Sequence, residues 1–229
     1  MAEVRKVRVK VKKRKLKVKR IIITILILCL MTLLYLTLRE LPIKNIYIIG
    51  NNIVSDKEIL ELSNLSDYPS FLQTSNRSII SGIKDNDYIK NVIIKRKFYN
   101  KVYIYITEKK VLGIYNDQLL LEDGTITDNI YNISTCPIII SDIDSIKDRF
   151  SDKFSLINND IMLKISEIEY TPNEVDKERF TLYMNDGNMV YVTLGKITKI
   201  NKYNSIYSKM EGKKGIIYLD AGDYVEVKE

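Results

Sequence analysis

Histidine is missing from this chain altogether, and the absence excludes a great deal of chemistry. No Ser-His-Asp or Cys-His nucleophilic site and no histidine-ligated zinc centre can be assembled. There are two cysteines, Cys29 inside an apolar run and Cys136 far beyond it. They form no CxxC motif and no intramolecular disulfide with each other, so whatever follows the run stands on packing alone. No phosphate loop or dinucleotide fingerprint occurs. Ser81-Gly82-Ile83-Lys84 fits the SxxK pattern of penicillin-interacting serine enzymes, but the SDN and KTG motifs that accompany it are missing, and two fixed positions are easily met by chance. The carboxylate pairs Asp142/Asp144 and Glu167/Glu169 read as solvated surface rather than as acid/base or calcium sites. These absences predict no catalytic residues, no metal, no cofactor and no small-molecule substrate.

What is present is a run of eighteen uncharged residues, Ile21 to Leu38, reading IIITILILCLMTLLYLTL. As an α-helix it is roughly 27 Å long, close to the thickness of bilayer hydrocarbon. A core helix would carry a polar stripe, and a signal peptide would have a shorter apolar centre with a small-x-small cleavage site after it. This run is apolar on all sides except for three threonines and Tyr35, and Arg39-Glu40-Leu41-Pro42 follows it. An uncleaved transmembrane helix over residues 21–40 is expected.

Charge orients it. The formal net charge is +7, of which the first twenty residues carry +10, leaving −3 for the remainder. The run that includes Lys12, Lys13, Arg14, Lys15, Lys17, Lys19 and Arg20 immediately precedes the apolar stretch. By the positive-inside rule residues 1–20 form a cytoplasmic tail and the C-terminal part lies outside the membrane, a single-pass type II arrangement. A basic tail can also mark nucleic-acid binding, but beside a span its simpler roles are orientation and contact with anionic lipid, so lipid is the expected partner and nucleic acid is not.

Beyond the span, periodicity separates two units. In residues 41–110, Ile43 to Ile49 closed by Gly50-Asn51 predicts a strand. Ser55-Asp56-Lys57-Glu58 predicts a capping box opening a helix, in which Glu58 reaches back to the cap. Ser75 to Ile83 predicts a second helix, and Ile89 to Lys97 with Lys101 to Glu108 a pair of strands turning through Asn100. In residues 111–229 strands are expected at Val111–Tyr115, Gln118–Leu121, Thr125–Thr127, Cys136–Ile140, Arg179–Met184 and Met189–Leu194, the third opened by the hairpin signal Asp123-Gly124. Helical stripes fall on Ile146, Phe150, Phe154 and Ile157, and on Ile200, Tyr203 and Met210, before the ending Gly215 to Val227. The fold class is α+β: one N-terminal transmembrane helix, a β-α-α-β-β domain, and a mixed β-rich domain with two helices.

Several segments together carry a resemblance. Ile43-Lys44-Asn45-Ile46 leading to Gly50-Asn51, Ser55-x-x-Glu58-Ile59, Ile89-Lys90-Asn91-Val92 leading to Arg96, and Val102-x-Ile-x-Ile-x-Glu108-Lys109 resemble a POTRA domain of the FtsQ/DivIB family of bacterial cell-division proteins. A strand-Asp-Gly-strand pair, a lysine-bearing helix through Lys202 and the ending Asp220-x-Gly222-x-Tyr224 resemble that family's β domain. In place of a proline often found between the last two POTRA strands, this chain has Phe98-Tyr99-Asn100.

The resemblance implies a scaffold at the division septum. Its partners would be DivIC/FtsB-like and FtsL-like single-span proteins, and it would help recruit or regulate the septal peptidoglycan synthase complex. An alternative from another class is a membrane-anchored POTRA chaperone or polypeptide-translocation component. A terminal strand offers a free edge on which a partner segment can add by β-augmentation. Tyr218, Tyr224, Val225 and Val227 are therefore the candidate partner-binding residues.

Overall fold

The computed structural model describes residues 17–98 and 100–227. The first helix, α1 (Val18–Arg39), is long and apolar enough to cross a membrane, and none of its residues is buried against the rest of the chain. Its three threonine hydroxyls are satisfied internally. The hydroxyls of Thr24, Thr32 and Thr37 donate to the carbonyls of Arg20, Cys29 and Leu34 at 2.8, 2.8 and 2.9 Å, the arrangement that hydrocarbon requires.

The next unit comprises β1 (Asn45–Ile49), α2 (Asp56–Leu62), α3 (Asn76–Lys84), β2 (Ile89–Lys97) and β3 (Lys101–Glu108). Its sheet has the order β1-β3-β2, with β1 parallel and β2 antiparallel to the central strand. Both helices begin on serine caps, Ser55 accepting from the Glu58 N–H and Ser75 from the Ser78 N–H. Only half of the expected capping box forms. The Glu58 carboxylate accepts instead from the Tyr131 hydroxyl at 2.6 Å and from Asn86 Nδ2 at 3.1 Å, tying α2 to a loop seventy residues on. Asn100 turns the β2–β3 hairpin with a φ of 55°, a conformation asparagine tolerates. Glu108 closes the unit by accepting from the backbone N–H groups of Asn52, Ile53 and Val54.

The remainder is organised on a nine-stranded sheet built from β4 (Val111–Tyr115), β5 (Gln118–Leu121), β6 (Ile126–Thr127), β7 (Ile138–Ile139), β8 (Ile165–Tyr170), β9 (Arg179–Met184), β10 (Met189–Thr193), β11 (Gly215–Tyr218) and β12 (Tyr224–Val227). The strand order is β12-β11-β10-β9-β8-β7-β4-β5-β6, with parallel pairing at β10/β11, β7/β8 and β4/β7. The expected helices are present as α4 (Lys147–Phe154) and α6 (Tyr203–Lys209). A single turn, α5 (Asn159–Met162), and a 3₁₀ stretch over Leu194–Lys202 accompany them. All cover one face, where Phe150, Phe154, Ile161, Ile197, Ile200 and Tyr203 close a core over Ile168, Phe180, Leu182, Val190, Val192 and Ile217. Strand alternation sends the other side chains of β8 to β12 to an open face.

Candidate partner-binding edge

The edge is made by a short hairpin. β12 pairs antiparallel with β11, aligning Gly215 with Val227, Ile217 with Val225 and Tyr218 with Tyr224. Ile217 and Val225 therefore point inward, with Val225 packed against the core. Val227 lies on the same side but at the core's margin, 41% exposed. Tyr218 and Tyr224 point to the open face and stack, with ring centroids 4.4 Å apart and planes 12° from parallel. Among the described residues β12 pairs on one side only, which leaves a row of main-chain donors and acceptors facing solvent.

The four candidate residues thus share one hairpin and divide between its two faces. Sequence reasoning missed the neighbours that brace them. Tyr191 on β10 lies beside Tyr218, centroids 5.3 Å apart, and the Arg179 guanidinium sits 3.9 Å from the Tyr191 ring centroid. Arg179 Nε also donates to Asp220 Oδ2 at 2.8 Å, in the connection between β11 and β12. Burial pushes the Asp220 carboxyl up, but the hydrogen bonds from Arg179 and from the Ala221 N–H outweigh it and hold the group below the usual carboxylate range. Arg179, Tyr191, Tyr218 and Tyr224 form a continuous cation–π and stacking ladder from β9 to the edge. Its signal lies in register across four strands, which no local pattern contains.

The inner side of the edge is basic. Lys199 Nζ contacts Asp223 Oδ1 at 2.6 Å and lowers that carboxyl's pKa, while Lys196 Nζ donates to the Asp220 carbonyl at 2.5 Å. A cavity of about 220 Å³ between α6 and the hairpin is lined by Lys199, Lys202, Ile206, Ile217, Tyr224 and Val225. An extended segment with an acidic or apolar side chain directed at this cavity matches its lining.

The other sequence candidates lie elsewhere. Ser81 and Lys84 are both exposed on α3. Asp142 and Asp144 are exposed, as expected, and their carboxylates also lie within hydrogen-bond reach of the hydroxyl of the buried Tyr115, at 3.1 and 2.8 Å. Of the orienting cations, Lys17, Lys19 and Arg20 stand at the start of α1, while Lys12, Lys13, Arg14 and Lys15 fall outside the described residues.

Residues 41–109 match the family model for the FtsQ-type POTRA domain, and residues 112–222 match the C-terminal model of the cell division protein FtsQ/DivIB. The chain is 30% identical over 203 residues to the cell division protein DivIB of Bacillus subtilis (strain 168), covering 85% of this chain and 77% of that protein. Identity to the Bacillus cytotoxicus DivIB is 29% over 202 residues, covering 84% and 79%. Identity to the Listeria monocytogenes DivIB is 27% over 200 residues, covering 79% and 71%. A solved structure of the major extracytoplasmic domain of DivIB from Geobacillus stearothermophilus aligns over 46% of this chain and 96% of that one, at 21% identity and a TM-score of 0.39.

Proposed function

Because the chain belongs to the FtsQ/DivIB family of bacterial cell-division proteins, we propose that it is a non-catalytic scaffold of the division septum, anchored by α1 with its basic N-terminal run in the cytoplasm and both folded units outside. Its partners are DivIC/FtsB-like and FtsL-like single-span proteins, and through them it helps recruit or regulate septal peptidoglycan synthesis. The basic run holds the orientation and touches anionic lipid. The observation that carries this reading is the one-sided pairing of β12, at the end of the nine-stranded sheet opposite β6, on an edge braced by stacked tyrosines and flanked by lysines. A partner strand laid along β12 gains main-chain hydrogen bonds, while the cavity beneath the hairpin selects side chains at alternate positions.

Consecutive residues of an antiparallel strand direct their N–H groups alternately toward the neighbour and away from it. Of Val225→Pro and Glu226→Pro, one therefore removes an N–H bonded to β11 and the other an N–H that faces outward. The outward variant should keep its circular dichroism spectrum and lose co-purification with the DivIC-like protein. At about 1 kcal/mol per lost bond, one or two bonds correspond to roughly fivefold to thirtyfold weaker binding. Unchanged binding by the folded variant removes the edge from the interface.

A further inference from the structure

The end of the first folded unit nearest α1 carries exposed apolar side chains. Phe98, in the β2–β3 hairpin turn, is 93% exposed, and Leu72 and Tyr68 in the loop after α2 are exposed as well, as is Leu41 just past α1. Exposed apolar clusters of this kind mark an interaction surface.

Their position is fixed by short bonds to the end of the span. The Lys44 N–H donates to the Asn100 carbonyl at 2.9 Å, and Asn100 Nδ2 donates to the Pro42 carbonyl at 2.9 Å. Pro42 is three residues from Arg39, the last residue of α1, so the hairpin turn is held within about 10 Å of the helix end. The loop bearing Leu72 is tied more closely still. Ser70 Oγ and Gln73 Nε2 both donate to the carbonyl of Arg39 itself, and the Phe71 N–H donates to the Leu41 carbonyl at 2.9 Å. From the other side, the Arg96 guanidinium donates to the carbonyls of Phe71 and Thr74 and to Asn76 Oδ1, and lies against the Phe71 ring. The loop is thereby pinned between sheet and span. Around this surface Arg39, Lys44, Lys97 and Lys101 outnumber the acids Glu40 and Asp67.

We propose that this tip, with Phe98 and Leu72 as its apolar contacts and Lys44, Lys97 and Lys101 around them, docks into the headgroup and acyl boundary of the same bilayer that α1 crosses, on its outer side. The span delivers the tip to that boundary, since neither contact residue can move far from Arg39. Phenylalanine and leucine gain by entering the interface, and lysines reach outward to phosphate while their stems lie along apolar surface. The first folded unit then does not swing about Pro42: it is held at three points, α1, the hairpin turn and the 69–73 loop. This goes beyond the division role and requires only that α1 spans a bilayer.

The absence of tryptophan supplies the test. Full-length chains carrying Phe98→Trp, Leu72→Trp or, as a control in the second unit, Val175→Trp each contain a sole indole; Val175 is 97% exposed and its substitution disturbs no packing. Each is reconstituted into vesicles of phosphatidylcholine with phosphatidylglycerol at less than one chain per vesicle. Flotation with the vesicles, resistant to alkaline extraction, establishes the span separately from the docking. Indoles at positions 98 and 72 should emit to the blue and be quenched several-fold more by brominated lipid than the control, while aqueous acrylamide quenches the control more. Adding Phe98→Glu to the Leu72→Trp chain should return that indole toward water. Equal acrylamide access at positions 98 and 175 overturns the proposal. So does protection that appears only when many chains share a vesicle, since a second copy would then be covering the tip.

Discussion

Replacing Gly82 with alanine is a sharp test of how α2 and α3 pack. A Cβ at position 82 would lie 2.1 Å from the carbonyl oxygen of Leu62, 3.1 Å from its carbon and 3.7 Å from the Ser63 Cα. Carbon-to-oxygen contacts even of the weak hydrogen-bonding kind sit near 3.3–3.6 Å, so the two helices must part by about 1 Å. No flexible side chain is available to yield, because every atom met is backbone. The displacement is felt by Ile59, Ile79 and Ile83, all fully buried, and by Ser63, whose hydroxyl donates to the Ile59 carbonyl at 2.7 Å. Overpacking of this kind costs up to about 3 kcal/mol, against which alanine's better helix propensity returns about 1. A net loss of about 2 kcal/mol lowers the melting temperature of a domain pair of this size by roughly 4–8 °C. Gly195, with nothing within 4 Å of its added Cβ, is the control; Gly195→Ala should gain a few tenths of a kcal/mol by restricting the unfolded chain. Thermal unfolding of the full chain in detergent, followed by circular dichroism, compares the two. A Gly82→Ala protein as stable as the parent refutes the close approach.

Two further perturbations probe the second unit. Asn188, 1% exposed, donates to Asp186 Oδ1 and accepts at 2.8 Å from the Gly215 N–H that opens β11, and the Tyr203 hydroxyl completes the network. Asn188→Leu strands these groups at about 1–3 kcal/mol each, so hydrogen exchange over residues 215–227 should accelerate before that of β8 and β9; unchanged exchange there counts against the network as the hairpin's support. The Tyr183 hydroxyl is pushed up to about 12, first by its hydrogen bond to Glu169 and then by burial, and Tyr131 likewise to about 12 by burial and its bond to Glu58. The folded state keeps these protons while an unfolded phenol loses its own near pH 10, so their stabilisation is complete below pH 10 and lost on rising to 12. The urea midpoint should fall across that window, and less steeply in Tyr183→Phe; identical slopes would exclude the Tyr183–Glu169 bond as a contributor.

Where strands alternate cleanly between turn residues, local pattern was enough. β2 and β3 begin and end at the residues the alternation indicates, since their inward isoleucines and valines share one core and Asn100 takes the left-handed turn between them. β8 shows where this ends. Its apolar residues Ile165 and Ile168 are three apart because the register with β9 shifts between Ile165 and Glu167, so period two is broken and Glu167 and Glu169 read as no more than solvated surface. Yet β8 lies between β7 and β9 in the middle of the sheet, with Glu169 holding the Tyr183 hydroxyl at 2.7 Å. The candidate edge was legible as four residues because they are close in sequence. Arg179, Tyr191 and Lys199 were not, because they reach the hairpin through parallel pairing of β10 with β11 and through the helix packed beneath it.

The relation between the two units turns on β5, three of whose side chains feed two cores. Leu119 and Leu121 bury among Ile59, Ile79, Tyr88 and Ile106, while Leu120, pointing the other way, buries with Phe154 and Ile168. A strand has only two faces, and here each is spent on a different unit. The loop after β6 repeats the connection from outside: Tyr131 reaches Glu58, and the Tyr88 hydroxyl donates to the Asp128 carbonyl at 2.8 Å. Opening the junction would expose at least Leu119 and Leu121, at about 1.5–3 kcal/mol each, so fewer than about one chain in a hundred is open at any moment. A hinge is therefore the wrong picture of residues 109–110, although only two residues separate β3 from β4. The first unit is a spacer of fixed geometry, and load applied at β12, where partner binding is proposed, would pass through the sheet to β5, to the first core and so to Arg39. In the scaffold proposed above, the distance of the proposed binding edge from the membrane would be set by side chains in two cores rather than by the length of a linker.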